Sequence, residues 1–285
     1  MMIAITGANG NLGRLVVKGL LQVVPATQIV AGIRKLEDGD WLRALGVQVR
    51  EADYDRPETL LEALHGVEKL LLISAVVPGQ RLRQHKAVID AAKQAGVKFV
   101  AYTSMLRADT STLNLAGEHK ATEAYLKHSG LEYVLLRNAW YLENTTAAIV
   151  PALAQGAMIG CAGEGRFASA TRADYAAAAV AVLTQPGHAN RTYELAGDQS
   201  FSMAEFAAEV SKQTGQAIAY KDLPPAEYEA ALTSAGLPRM IVDVIIDADS
   251  KASHGELDST SRDLSRLLGR NTTHFAEAIK VALQR

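Results

Sequence analysis

Residues 3–13 read Ile3-Ala4-Ile5-Thr6-Gly7-Ala8-Asn9-Gly10-Asn11-Leu12-Gly13, a short apolar run that passes directly into a glycine-spaced turn. The run has the length and β-branching of a buried strand. After the turn, Leu12, Leu15, Val16 and Leu20 fall at the spacing of one helix face. Gly7 suits the tight turn, Gly10 lets a phosphate approach the backbone, and Gly13 permits close packing of helix on strand. A helix that opens there aims its unbonded N–H groups and the positive end of its dipole at the turn, the arrangement that receives a pyrophosphate. These residues therefore read as the start of a nucleotide-binding βαβ unit, with Gly7, Ala8, Asn9, Gly10, Asn11 and Leu12 around the phosphates.

The same alternation continues along the chain. Strands are expected over Gln28–Arg34, Val47–Glu51, Lys69–Ser74, Lys98–Thr103 and Tyr133–Arg137. Val88, Ile89, Ala92 and Ala95 mark a helix that stops at Gly96, and Leu115–Ser129 marks another that stops at Gly130. Strands alternating with helices imply parallel βαβ crossovers. The expected fold class is α/β, a Rossmann-type doubly wound parallel sheet with a smaller C-terminal α/β lobe. After about residue 150 the pattern changes. An Ala-rich helix over Asp174–Leu183 precedes a strand at Thr192–Leu195, a helix at Met203–Thr214 and a strand at Ile218–Tyr220. Broken helix follows over Pro224–Ser253, then a helix over Thr273–Leu283. The reading is a nucleotide-binding domain over 1–150, its sheet completed by parts of 157–196, and an interwoven substrate-side lobe over 197–285.

Composition narrows the partners. A chain of 285 residues with 48% hydrophobic residues buries a substantial core, and a net charge of −2 gives no general attraction to nucleic acid or anionic membranes. Cys161 is the single cysteine, so no internal disulfide can form and no thiol set is available for structural zinc. No other group of side chains has metal-ligand spacing, and no metal is expected. The start of the chain lacks the pattern of a signal peptide and no apolar run reaches spanning length, so the cytoplasm is the expected compartment. A homodimer stays open.

The choice of nucleotide is read at the end of the second strand. An NAD site carries an acid about 20 residues past the glycines. Here Ile29-Val30-Ala31-Gly32-Ile33 ends in Arg34 and Lys35, and a guanidinium suits a ribose 2′-phosphate. NADPH is thus the expected cofactor, with Glu37 or Asp38 as the alternative contact to a free ribose. Asp53, after the third strand, is placed for the adenine or for a loop cap. The proton donor usual for carbonyl reduction on this fold, a Tyr-x-x-x-Lys pair, is missing: none of the nine tyrosines has a lysine four residues on. Aligning Glu123 with the glutamate that often extends that motif puts His119 at the lysine and Leu115 at the tyrosine. A substrate that accepts hydride without a dedicated acid fits this pattern. A quinone does so, because its reduced ring is aromatic and water can protonate its oxygens.

The stretches Ile3–Ala8, Gly66–Ser74, Ala95–Ser104, Leu135–Asn138 and Ser169–Tyr175 resemble the type 2 NADPH:quinone oxidoreductases. These are atypical short-chain dehydrogenases close to the NmrA-like group and to triphenylmethane dye reductases. The resemblance covers essentially the whole chain, with Asn9 and Asn11 standing where the family often has threonine and glutamine. It implies that Gly7–Leu12 hold the pyrophosphate, Arg34 the 2′-phosphate, and Ser74, Ala75 and Val76 the adenine-ribose side. It further implies that Asn138, Ala139, Trp140, Tyr141, Leu142 and Glu143 border the nicotinamide, and that Asn144 lies at the quinone. No flavin is implied.

Several residues carry two readings. His119 is the candidate for moving a proton, against a packing role on its helix. Asn144 falls early in an apparent helix over Tyr141–Ala154, where a plain cap is the alternative. Trp140 and Tyr141 are either a wall for a flat ring or core. Ser104 is expected to cap the turn after the fifth strand, and His85 and Lys120 to face solvent. The leading function is direct hydride transfer from NADPH to a quinone. A triarylmethane dye is the variant acceptor, and an NmrA-type NADP(H) sensor that turns nothing over is the rival.

Overall fold

The computed structural model describes residues 1–284. Its strands are β1 Ile3–Thr6, β2 Ile29–Ile33, β3 Gln48–Glu51, β4 Lys69–Leu72, β5 Phe99–Met105, β6 Glu132–Asn138, β7 Ala157–Gly160, β8 Arg166–Phe167, β9 Arg191–Leu195, β10 Phe201–Ser202 and β11 Ala219–Asp222. The α-helices are α1 Asn11–Leu20, α2 Asp40–Ala44, α3 Pro57–Leu64, α4 Arg81–Ala95, α5 Ala116–His128, α6 Leu142–Thr146, α7 Ile149–Gln155, α8 Arg172–Thr184, α9 Met203–Thr214, α10 Pro225–Ser234, α11 Arg239–Ala252, α12 Asp263–Leu268 and α13 Phe275–Leu283. The chain divides into two compact units. One comprises Met1–Asp109, Leu115–Asn138 and Arg172–Glu194; the other comprises Thr110–Asn114, Ala139–Thr171 and the chain from Leu195 on. The division expected at residue 150 is thus redrawn at Asn138. The chain rejoins the first unit at Arg172 because α8 packs on α1.

The first unit is built on a seven-stranded sheet in the order β3-β2-β1-β4-β5-β6-β9. From β3 to β6 every neighbouring pair is parallel. Strand order reverses between β1 and β4, and ligands of such sheets bind at the carboxyl ends of the strands beside that reversal. β1 and β2 are buried at every position, as strands covered on both faces must be. Alternate residues Ala4, Val30, Leu70, Leu72, Val100, Tyr102 and Leu135 form one core with Leu60, Leu64, Val88, Ile89 and Leu126 of α3, α4 and α5. At the packing of α1 on α8, a side chain on Gly19 would bring its Cβ within 3.0 Å of Val180 Cγ2. The alanines of α8 reflect burial on most of its circumference.

The second unit holds two strand pairs, parallel β7–β11 and antiparallel β8–β10. Phe201 stands at its centre, with Phe206 and Phe275 at centroid distances of 5.4 and 4.9 Å. Helix α9 opens on a capping box in which Ser202 accepts from Glu205 N and Glu205 accepts from Ser202 N. The single helix expected over Tyr141–Ala154 is two helices, α6 and α7. Pro151 explains the break: in a continuous helix its ring would clash with the Ala147 carbonyl, whereas the first turn of a new helix tolerates proline. Among the described residues no helix is long and apolar enough to cross a membrane.

Candidate functional site

The first unit carries a cavity of about 360 Å³ at the carboxyl ends of β1–β4, lined by Gly7, Asn9, Gly10, Arg34, Lys35, Asp53, Tyr54, Ser74, Ala75, Val76 and Gln84 among others. Its floor is the glycine turn. Gly7 has a φ of +63°, a conformation in which a side chain is strained. Gly10 N–H donates to Gly7 O at 3.0 Å, closing the turn. A Cβ on Gly13 would lie 2.3 Å from Gly7 O and 2.7 Å from Ala8 Cα. Only glycine lets the turn fold back on its helix this closely. Helix α1 begins without a side-chain cap and without an acid in its first turn, which leaves its dipole end clear for an anion.

Asn9 ties this turn to the segment after β2. Its Oδ1 accepts from Trp41 Nε1 at 2.7 Å and from Arg14 at 2.6 Å, and its Nδ2 donates to the Asp38 carbonyl at 3.2 Å. The Arg14 guanidinium lies 4.7 Å over the Trp41 ring, a cation–π contact. Asn9 therefore acts as a brace as well as a lining residue. Arg34 and Lys35 are both exposed, line the cavity, and make no ion pair among the described residues. Two exposed cations that make no close ion pair, beside an anion-receptive helix terminus, fit a site for a phosphate in addition to the pyrophosphate.

Of the residues expected at the phosphates, Gly7, Asn9 and Gly10 line the cavity. Ala8 and Leu12 are buried behind it, with Ala8 N–H donating to Gly32 O at 3.1 Å, and Asn11 is exposed as the first residue of α1. Arg34, Asp53, Ser74, Ala75 and Val76 all line the cavity. Tyr54 was missed by sequence reasoning. Its hydroxyl donates to the Ile73 carbonyl at 2.8 Å and lies 2.6 Å from Thr6 Oγ1, and burial pushes the phenol above its ordinary range. Asp55 and Gln84 were missed as well. The hydrogen bonds of Arg83 and Gln84 hold the Asp55 carboxyl below the usual carboxylate range.

None of residues 138–144 lines this cavity. Asn138 ends β6 and is buried. Beyond it, in the second unit, Ala139 N–H donates to Leu195 O at 2.8 Å and Leu142 N–H to Ala170 O at 2.9 Å, while Tyr141 bridges to Ala170. Trp140 and Glu143 are half-buried, and Asn144 is exposed within α6.

His85 and Ser104 depart from expectation, while His119 takes a buried place. His119 is 5% exposed, and its Nδ1 lies 2.7 Å from the Tyr102 hydroxyl inside the unit. Burial, with Arg81 and His85 nearby, holds its imidazole well below the ordinary histidine range. The enclosed imidazole makes a packing and hydrogen-bonding contact, the second of its two readings. His85, expected in solvent, is fully buried. Ser104, expected to cap a turn, instead donates to Glu123 Oε1 at 2.6 Å. Both corrections have one cause: α4 and α5 present polar side chains inward to the carboxyl ends of β4 and β5.

A family model described as NAD(P)H-binding matches residues 7–186. The chain belongs to the NAD(P)H-binding family. Within that family, it is 52% identical over 278 residues to quinone oxidoreductase 2 of Escherichia coli (strain K12), covering 98% of this chain and 97% of that one. The crystal structure of the NADPH-dependent quinone oxidoreductase of Escherichia coli complexed with NADPH superposes with a TM-score of 0.96 at 51% identity, over 99% of this chain and 100% of that chain. The triphenylmethane reductase of Citrobacter sp. complexed with NADP(H) gives 0.95 at 38% identity, over 98% and 99%. The resemblance to type 2 quinone oxidoreductases thus holds across the NAD(P)H-binding part and the second unit alike.

Proposed function

We propose that this chain is an NADPH-dependent oxidoreductase that passes hydride directly to a quinone. The observation that carries the reading is the 52% identity, over nearly the full length of both chains, to a quinone oxidoreductase. The cavity supports it independently: a glycine turn that no Cβ could enter at Gly13 and two exposed cations, Arg34 and Lys35, suit a phosphorylated dinucleotide. When bound, NADPH supplies the hydride. The protein's part is to hold and orient. Gly7–Leu12 and the start of α1 receive the pyrophosphate, Arg34 the 2′-phosphate, and Asp53 with Ser74–Val76 the adenosine. Residues 138–143 border the nicotinamide, and the Asn144 amide orients a quinone oxygen and steadies the charge that develops there. The quinone gains two electrons as hydride and two protons in all, the second from water, and leaves as hydroquinone. No tyrosine acid is needed because the reduced ring is aromatic. Cytoplasmic residence accords with the composition.

The test follows loss of reduced-nicotinamide absorbance with 1,4-benzoquinone against an enzyme-free control. Enzyme-dependent loss, faster with NADPH than NADH, is the expected result. Asn144→Ala should lower kcat/KM for the quinone about tenfold or more while leaving NADPH binding intact. A protein that binds NADPH and consumes none of it with quinones or triarylmethane dyes would be a sensor instead.

A further inference from the structure

Past the end of β4 the backbone of Ile73, Ser74 and Ala75 forms part of the cavity wall, and side chains rather than a neighbouring strand hold it. Ile73 N–H donates to Thr6 Oγ1 at 3.3 Å, Ser74 N–H to Thr103 Oγ1 at 2.9 Å, and Ala75 N–H to His85 Nε2 at 2.8 Å. The Ala75 carbonyl accepts from Arg81 Nε at 2.9 Å. Ala75 is therefore gripped at both of its backbone groups by two residues one turn apart on α4.

Each gripping residue is itself fixed from α5. Arg81, 5% exposed, pairs through NH1 with Glu118 Oε2 at 3.0 Å, and its own backbone N–H donates to Glu118 Oε1 at 3.1 Å. His85 Nδ1 lies 3.0 Å from Thr122 Oγ1, and the Thr122 hydroxyl donates to the Glu118 carbonyl at 2.9 Å. These contacts assign the tautomer. The Thr122 proton is already given to Glu118, so Oγ1 accepts from His85 Nδ1–H. Nε2 is left with its lone pair, which is what the Ala75 N–H requires. Burial, and Arg81 beside it, keep the imidazole neutral by holding it down to about 3.

We propose that Arg81 and His85 are positioning residues for the dinucleotide: by clamping Ala75 they set the Ser74–Val76 wall in its binding geometry before the ligand arrives. The proposal rests on the NADPH reading above. Its physical content is pre-organisation. A wall ordered in the free protein spares the ligand the cost of ordering it.

The experiment combines amide hydrogen exchange of the free protein with calorimetric binding of NADPH and of adenosine 2′,5′-bisphosphate. In His85→Leu, exchange at Ala75 should quicken about tenfold or more, while Ser74, held by Thr103, keeps its protection. The Kd for both ligands should rise roughly tenfold, the equivalent of one lost hydrogen bond. His85→Gln, which retains an acceptor in reach of the Ala75 N–H, should recover most of both effects. Arg81→Met, which frees the Ala75 carbonyl, should weaken both ligands as well and serves if His85→Leu does not fold. Folded variants with unchanged Ala75 exchange and unchanged Kd values would overturn the clamp alone. A wild-type protein that binds neither ligand would overturn the NADPH reading, and the clamp with it.

Discussion

Arg34 shows what a single side chain contributes at this site. It directly follows a fully buried strand, stands exposed at the cavity, and makes no close ion pair among the described residues. A cation in that position gains little from the protein and much from a bound phosphate, since a charge-assisted hydrogen bond is worth about 1.5–3 kcal/mol. Arg34→Ala should therefore raise the Kd for NADPH about 10- to 100-fold and leave that for NADH nearly unchanged. Calorimetry with both nucleotides checks this, and equal losses would remove the 2′-phosphate from the account. The place of Arg34 at the cavity was legible in the sequence because it depends only on where a strand ends. The same is true of the places of Gly7, Gly10 and Asp53, whereas Ser74–Val76 were expected there from the family resemblance. His85 was not legible, because its place depends on Thr122, 37 residues away on another helix, and Tyr54 depends likewise on Thr6, 48 residues away. A polar residue on a helix reads as exposed until its inward partner is known.

Between elements, the decisive contact in the first unit is the fork of Arg137 on β6 with Glu123 on α5. Nε and NH2 donate to the two carboxylate oxygens at 2.9 and 2.7 Å, while NH1 reaches Glu194 at 2.7 Å and Asp109 at 2.8 Å. Burial works against the guanidinium charge, but the bonds to Glu123 and Glu194 outweigh it and hold the group above its ordinary range. This network anchors the end of β6 from which Asn138–Asn144 continue. Arg137→Met would leave Glu123, 2% exposed, with Ser104 as its remaining donor in this network. The expected loss is about 3–5 kcal/mol, much of it recovered when Glu123→Leu is added; urea unfolding of the two variants measures both. In the second unit, Asp249 on α11 accepts from Cys161 N–H at 3.3 Å, and burial, then Asp222, push its carboxyl up to about 6. The folded chain thus keeps this proton longer than the unfolded chain does, so the group costs stability as pH rises from about 4 to 6. Asp249→Asn should exceed the wild type by about 1–3 kcal/mol at pH 7 and by little at pH 4. Strongly periodic elements such as α9 were legible with their bounds, whereas α6 and α7 were read as one because the apolar period runs through Pro151 and conceals the break.

Across the whole chain, acid stability carries the clearest signature of how this fold uses histidine. His85 and His119 are both buried and neutral, the first held down to about 3 and the second well below its ordinary range. Unfolding exposes both to water, where each titrates near 6.5. Between that value and about 3 the unfolded chain binds more protons than the folded one, so stability must fall as pH falls. Well below 6.5, each histidine contributes a slope of about 1.4 kcal/mol per pH unit. Asp249 opposes with the reverse sign over part of the same range, so the slope is best measured in the Asp249→Asn chain. There, urea unfolding between pH 6 and 5.5 should show stability lost as pH falls, with His188, also held below its ordinary range, adding to the effect of His85 and His119, and before the carboxylates of the unfolded chain take up protons. Adding His119→Gln, which retains a polar partner for Tyr102, should make that slope shallower. A slope unchanged by the substitution would mean that His119 takes up its proton in the folded protein, and would return it to consideration as a group that moves protons for the reaction.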